Sequence, residues 1–155
     1  MDTKLKGDIA EQAVVLQALK QGWGVLRPLG DRLPYDLVFD LGDRLVKIQV
    51  KAAWFDRPSG NYVVDNRRTK TNRRQMLRAP YQTSDFDYAI AYIEELAVFY
   101  IFPSEIFVGY GSEIHLVEAE KRQRKPKSAD YRDRWNLIDD PSVEIPEAAM
   151  SQVST

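Results

Sequence analysis

The segment YDLVFDLGDRLVKIQVK, residues 35 to 51, constrains the fold more than any other stretch of the chain. Apolar residues flank Gly42-Asp43, a dipeptide suited to two-residue hairpin loops, and the pattern predicts two antiparallel strands. With Leu41 opposite Arg44, Asp36 falls opposite Gln49. Alternation puts Leu37, Phe39, Val46, Ile48 and Val50 on one face and Asp36, Val38, Lys47, Gln49 and Lys51 on the other. A carboxylate, an amide and an ammonium thus occupy positions where apolar side chains would serve a sheet better.

Two explanations stand at this point. Opposed Cβ atoms in an antiparallel pair lie roughly 4.5 to 5.5 Å apart, so the Asp36 carboxylate and the Gln49 carbonyl can reach one ion, with Lys51 diagonally adjacent. Oxygen donors of this kind suit Mg²⁺ or Mn²⁺, and the set suits phosphodiester hydrolysis, with Lys51 orienting a water or neutralising charge on the reacting phosphate. The other explanation is a cross-strand pair between Asp36 and Lys47 or Lys51 in a half-exposed hairpin, which contributes little by itself.

The chain of 155 residues, 44% of them apolar, fits one domain with a substantial core. It has no cysteine and one histidine, His115, which excludes a disulfide framework, a thiolate metal site and His-rich clusters. His115 reads as a strand residue without chemistry, and Trp23, Trp54 and Trp135 as core or interface residues. The charged N-terminus and the lack of a long apolar run lead us to expect a cytoplasmic protein.

Net charge is −1, but its distribution is uneven. Residues 67 to 78 hold Arg67, Arg68, Lys70, Arg73, Arg74 and Arg78 without an acid; residues 121 to 127 hold Lys121, Arg122, Arg124, Lys125 and Lys127 without one. These stretches take eleven of the twenty-two Lys and Arg, leaving eleven against twenty-three acids elsewhere. Such concentration marks a polyanion-binding surface, although a single run of this kind is more simply a solvated loop.

Helical spacing of Leu5, Ile9, Ala13 and Leu16 predicts a helix over 3–21 ended by Gly22. Glu11 projects from its other side, among Gly7, Val14, Val15 and Ala18, where a carboxylate approaching a packed surface needs a cation or donors. A short strand over 23–26 precedes the hairpin, whose second strand extends toward Trp54. Further strands are expected at NYVV, YAIAYI, AVFYIF and IHLVE, with a loop and helix turn across the basic stretch up to Pro80. A helical turn is expected at SEIF and a short helix at ADYRDRWNLI. The order gives an α/β (mixed α+β) domain over 1–138, and the Pro-, Ser- and acid-rich tail over 139–155 is expected to be disordered.

Glu11 on a first helix, Asp36 on one strand and Gln49-Val50-Lys51 on the next resemble the PD-(D/E)xK nuclease pattern. The run KLKGDIAEQA, GWGVLRPLGDRLPYDLVFD, QVK and GNYVVDNRRTKTNRR is similar to the group I intron-encoded homing endonucleases of that superfamily from cyanobacteria. The resemblance implies a four-stranded mixed sheet flanked by helices and divalent-metal-dependent double-strand DNA cleavage. It also implies a homotetramer in the bacterial cytoplasm, two of whose subunits act on a long, partly palindromic target. By position it makes Asp36 the central metal ligand, Val50 a ligand through its backbone carbonyl, Lys51 the catalytic lysine and Glu11 a support for the metal site. Gln49 departs from the acidic residue of the pattern, since an amide ligates without bringing charge. Two other readings are a Holliday-junction resolvase-like nuclease of this fold and a DNA-binding module whose site has decayed.

Overall fold

The Gly42-Asp43 turn forms as its sequence predicts. Gly42 takes φ +95°, which requires a glycine-like backbone, and the Asp40 side chain accepts from its N–H at 2.9 Å. Strand β2 (Leu37–Asp40) pairs with β3 (Leu45–Ala52) in the expected register, Leu37 opposite Ile48 and Phe39 opposite Val46. The computed structural model describes residues 2–71, 76–119, 125–140 and 142, with side chains omitted at 69–71 and 76–78.

The hairpin sits inside a mixed sheet of order β1-β2-β3-β8-β9, with β1 (Gly24–Leu26), β8 (Tyr88–Ile93) and β9 (Val98–Pro103). Only β3 and β8 run parallel; the other pairs are antiparallel. Five strands replace the implied four because Gly24–Leu26 adds to the free edge of β2. Strand β9 is buried from Val98 through Phe102, so both of its faces are covered. Phe99 contacts Trp135 on one face, and Phe102 contacts Phe107 and Tyr131 on the other.

Helix α1 (Thr3–Lys20) starts at Asp2, whose carboxylate caps the N–H of Lys4, and Gly22 follows it at φ +87°. It lies against β1, β3 and β8. Its buried face is Ala10, Val14 and Ala18, whereas Leu5 and Leu16 are half exposed. The expected apolar face was therefore the wrong one. Both stripes have helical spacing, but small residues let the helix come close to the sheet, and that approach is what positions Glu11.

Strand β3 stops at Ala52, and Trp54–Asp56 forms a separate strand, β4. It joins β5 (Asn61–Asp65) and β10 (Glu113–Leu116) in a second sheet. The basic stretch is not a loop and helix turn: β6 (Arg67–Thr71) and β7 (Met76–Pro80) pair as an antiparallel ribbon. Helix α2 (Ser104–Gly109) follows β9. The helix expected at ADYRDRWNLI is instead a 3₁₀ segment, Lys127–Tyr131, and a turn of α3 (Asn136–Asp139), separated by Asp133 at φ +51°. Trp23 and Trp135 are core residues while Trp54 is exposed, and His115 is a strand residue bonded through Nδ1 to Asn61. Among the described residues, no helix is long and apolar enough to cross a membrane. Apart from Asp139, Asp140 and Ser142, the tail lies outside the described residues.

A Cβ at residue 42 would meet nothing within 4 Å, so its cost is confined to the backbone. Gly42→Ala is expected to destabilise the fold by about 1 kcal/mol, read as a lower urea midpoint at unchanged m-value.

Candidate active site

Asp36 stands one residue before β2, its N–H donating to the Ile48 carbonyl at 2.8 Å, which continues the hairpin register. Its carboxylate therefore faces β3. Oδ2 accepts from the Val50 N–H at 2.8 Å and from Gln49 Nε2 at 2.9 Å. Gln49 is buried at 8% exposure, and its Nε2 also donates to the Val50 carbonyl at 3.2 Å. The side-chain pairing expected from the turn is the pairing found.

Burial pushes the Asp36 carboxyl up to about 6. The Val50 N–H and Lys51 oppose that rise, and the negative charge of Glu11 adds to it. Glu11, on the sheet-facing side of α1, thus lies near enough for its charge to act on Asp36, and it is itself ion-paired with Arg27. Helix and hairpin converge on one acidic site.

Lys51, one turn of the pleat beyond Gln49, directs Nζ to the Arg67 carbonyl at 3.1 Å and over the Tyr81 ring at 4.9 Å from its centroid. Lys47 turns elsewhere, to the Ser84 carbonyl at 3.0 Å. The simple cross-strand pair between Asp36 and Lys47 is not what this hairpin builds.

The oxygens present fit a hard divalent cation. Asp36 Oδ2 and the Val50 carbonyl converge on a common point, filled by the positive edge of the Gln49 amide. Rotating that amide about its last bond would bring Oε1 to the same point, and three oxygens facing one another need a cation between them. Among the described residues no three His, Cys, Asp or Glu converge, so such an ion would depend on carbonyl and amide oxygens beside one carboxylate, with Glu11 nearby.

Of the basic candidates, Arg67 and Arg68 lie at the root of the β6–β7 ribbon. Arg67 Nε bonds Asp65 at 3.3 Å, and Arg68 Nη2 bonds the Arg32 carbonyl at 2.8 Å. Lys70 and Arg78 lie on the paired strands with side chains outside the described residues. Arg73, Arg74, Lys121, Arg122 and Arg124 are outside the described residues altogether. Tyr81 went unrecognised in the sequence, where nothing local distinguishes it from the other seven tyrosines. It is 5% exposed, and burial first, then the charge of Asp36, pushes its hydroxyl pKa upward.

A family model described as PD-(D/E)XK endonuclease matches residues 1–138. The chain belongs to that family. The chain is similar to a solved structure of a bacterial homing endonuclease, I-Ssp6803I, at 64% identity over 89% of this chain and 93% of that one, with a TM-score of 0.83. The structure of MepB aligns over 76% of this chain and 87% of that one at 19% identity and a TM-score of 0.45. No curated protein matches the chain.

Because the folded-state pKa of Asp36 is raised from 3.8 to about 6, the native state holds this proton more tightly than the unfolded chain does. Stability from this group is therefore full below pH 4 and lost as pH rises toward and through 6. In EDTA, Asp36→Asn is expected to stabilise the protein by on the order of 2 kcal/mol at pH 7.5 and to leave it nearly unchanged at pH 4, measured by urea unfolding.

Proposed function

We propose that the protein is a sequence-specific homing endonuclease. It makes double-strand breaks in DNA by Mg²⁺- or Mn²⁺-dependent phosphodiester hydrolysis and supports the mobility of a group I intron in the bacterial cytoplasm. The observation that carries this reading is the half-buried Asp36 carboxylate, set with the Val50 carbonyl and the Gln49 amide around one point beside the Lys51 ammonium. The 64% identity to a bacterial homing endonuclease supports the biological role.

Asp36, the Val50 carbonyl and Gln49 Oε1 would hold the ion, with Glu11 freed from Arg27 to add charge. Bound there, the metal would polarise the phosphodiester and lower the pKa of an attacking water. Lys51 presents fixed positive charge where the phosphate becomes more negative and orients the nucleophile. The β6–β7 ribbon has the shape of a two-stranded element that enters the major groove, and its basic residues would contact phosphates and guanine edges. A homotetramer with two subunits on the DNA lets a short chain cover a long, partly palindromic target.

The test is a plasmid library carrying random inserts, incubated with the protein in MgCl₂ and then in MnCl₂, with linearised products sequenced at their ends. The expected result is one long, partly palindromic consensus. No linear product in either metal points to a decayed DNA-binding module, and preference for four-way junctions over linear DNA points to a resolvase-like enzyme. On a plasmid recovered this way, Asp36→Ala and Lys51→Ala are expected to abolish cleavage while binding in Ca²⁺ persists. Gln49→Glu is expected to retain cleavage and Gln49→Leu to lose it while staying folded by circular dichroism. Replacing Arg73 and Arg74 by Ala is expected to flatten the slope of log K against log salt by about one unit per lost phosphate contact, measured by fluorescence anisotropy.

A further inference from the structure

The Lys51 ammonium is gripped by two groups that come from neither strand of the catalytic hairpin. Arg67 opens β6 and Pro80 closes β7, and the two are paired across the ribbon. The Arg67 carbonyl accepts from Lys51 Nζ at 3.1 Å, and Tyr81, the residue after Pro80, places its ring centroid 4.9 Å from the same nitrogen. Tyr81 in turn is wedged edge-on against Phe86, at 5.2 Å between centroids, and tilted against Phe107 at 6.1 Å. The ring is thus anchored in the core while its face meets the ammonium.

We propose that Tyr81 is a positioning residue for Lys51: its ring face, together with the Arg67 carbonyl, fixes the ammonium at the reacting phosphate. The role rests on the nuclease reading above. A lysine stem has four rotatable bonds, and an ammonium held only by solvent would spend little time in one place. An aromatic face attracts the cation through the ring quadrupole. Unlike a carboxylate, it neither takes the proton nor neutralises the charge, so the ammonium is fixed without losing its effect on the phosphate. The interaction uses the ring and not the hydroxyl. Because carbonyl and ring both sit at the root of the basic ribbon, the element assigned to the groove also sets the place of the catalytic cation.

Single-turnover cleavage of a plasmid recovered from the library separates this role from a merely structural one. Tyr81→Phe keeps the face and is expected to cut within about twofold of wild type, whereas Tyr81→Met, which fills the pocket without a ring, is expected to lose about fivefold to tenfold in rate. The protein concentration giving half-maximal rate should stay unchanged, since DNA binding is not involved. In the event that Tyr81→Met does not fold, mono-, di- and trifluorophenylalanine at residue 81 keep the shape and withdraw charge from the ring face, and the rate should fall stepwise along the series. Independently of activity, the ε-methylene signals of Lys51 in ¹³C-lysine-labelled protein, assigned with Lys51→Arg, should be ring-current shifted in wild type and Tyr81→Phe and unshifted in Tyr81→Met.

A folded Tyr81→Met that cuts at wild-type rate overturns the proposal. So does a flat fluorination series, a Tyr81→Phe variant as impaired as Tyr81→Met, or the absence of the ring-current shift. Failure of the wild-type protein to cut any plasmid is a different outcome: it overturns the nuclease reading and with it the catalytic purpose of the contact.

Discussion

The site depends on one interaction, the bond from the Val50 N–H to the Asp36 carboxylate at 2.8 Å. It ties the entry of β2 to the middle of β3 and holds a carboxylate where burial works against its charge. A charged group in such a place is costly unless donors or a cation compensate it. Here the backbone N–H and the Gln49 amide supply part of the compensation, and an ion in the same place would supply more. The raised pKa is thus a consequence of this geometry. Perturbation of this kind is characteristic of functional sites, where stability is given up for chemistry.

The rest of the fold serves that geometry. The parallel pairing of β3 with β8 and the burial of β9 from Val98 through Phe102 give the hairpin a rigid, doubly covered base. Small residues on α1, Ala10, Val14 and Ala18, allow the helix to settle on this sheet, and with it Glu11 comes within electrostatic reach of Asp36. Larger residues on that face would hold the helix away. The root of the basic ribbon brings the Arg67 carbonyl and the Tyr81 ring to Lys51. Carboxylate, amide and ammonium therefore share one strand face, while what fixes the ammonium comes from far along the chain.

Gln49 is the neutral side chain of this cluster. Its amide nitrogen makes two bonds, to Asp36 Oδ2 and to the Val50 carbonyl, and so stands where positive charge is wanted. An acid at this position would place a second negative charge beside the first, whose carboxyl is already raised to about 6. The amide relieves that repulsion and still carries an oxygen within one bond rotation of the same point.

The local pattern was enough for the hairpin. Gly42-Asp43 fixed the turn, the turn fixed the register, and alternation placed Asp36, Gln49 and Lys51 on one face, because strand geometry links neighbours in sequence to neighbours across a ladder. The charge pattern likewise located the basic segment. It did not reveal that the segment is a β-ribbon, since RRTKTNRRQMLR carries no alternation of apolar and polar residues. For α1 the periodicity was ambiguous: Leu5 and Leu16 marked one stripe and Ala10, Val14 and Ala18 another, and only packing against the sheet chose between them. Tyr81 was invisible because its meaning lies in a contact thirty positions from Lys51, made when β6 and β7 fold back on the site. The sequence by itself determined which groups share one strand face, a short-range consequence of the pleat and the turn. Only the tertiary structure decided which face of the helix is buried and what holds the lysine, because both are set by surfaces that meet only when distant segments pack.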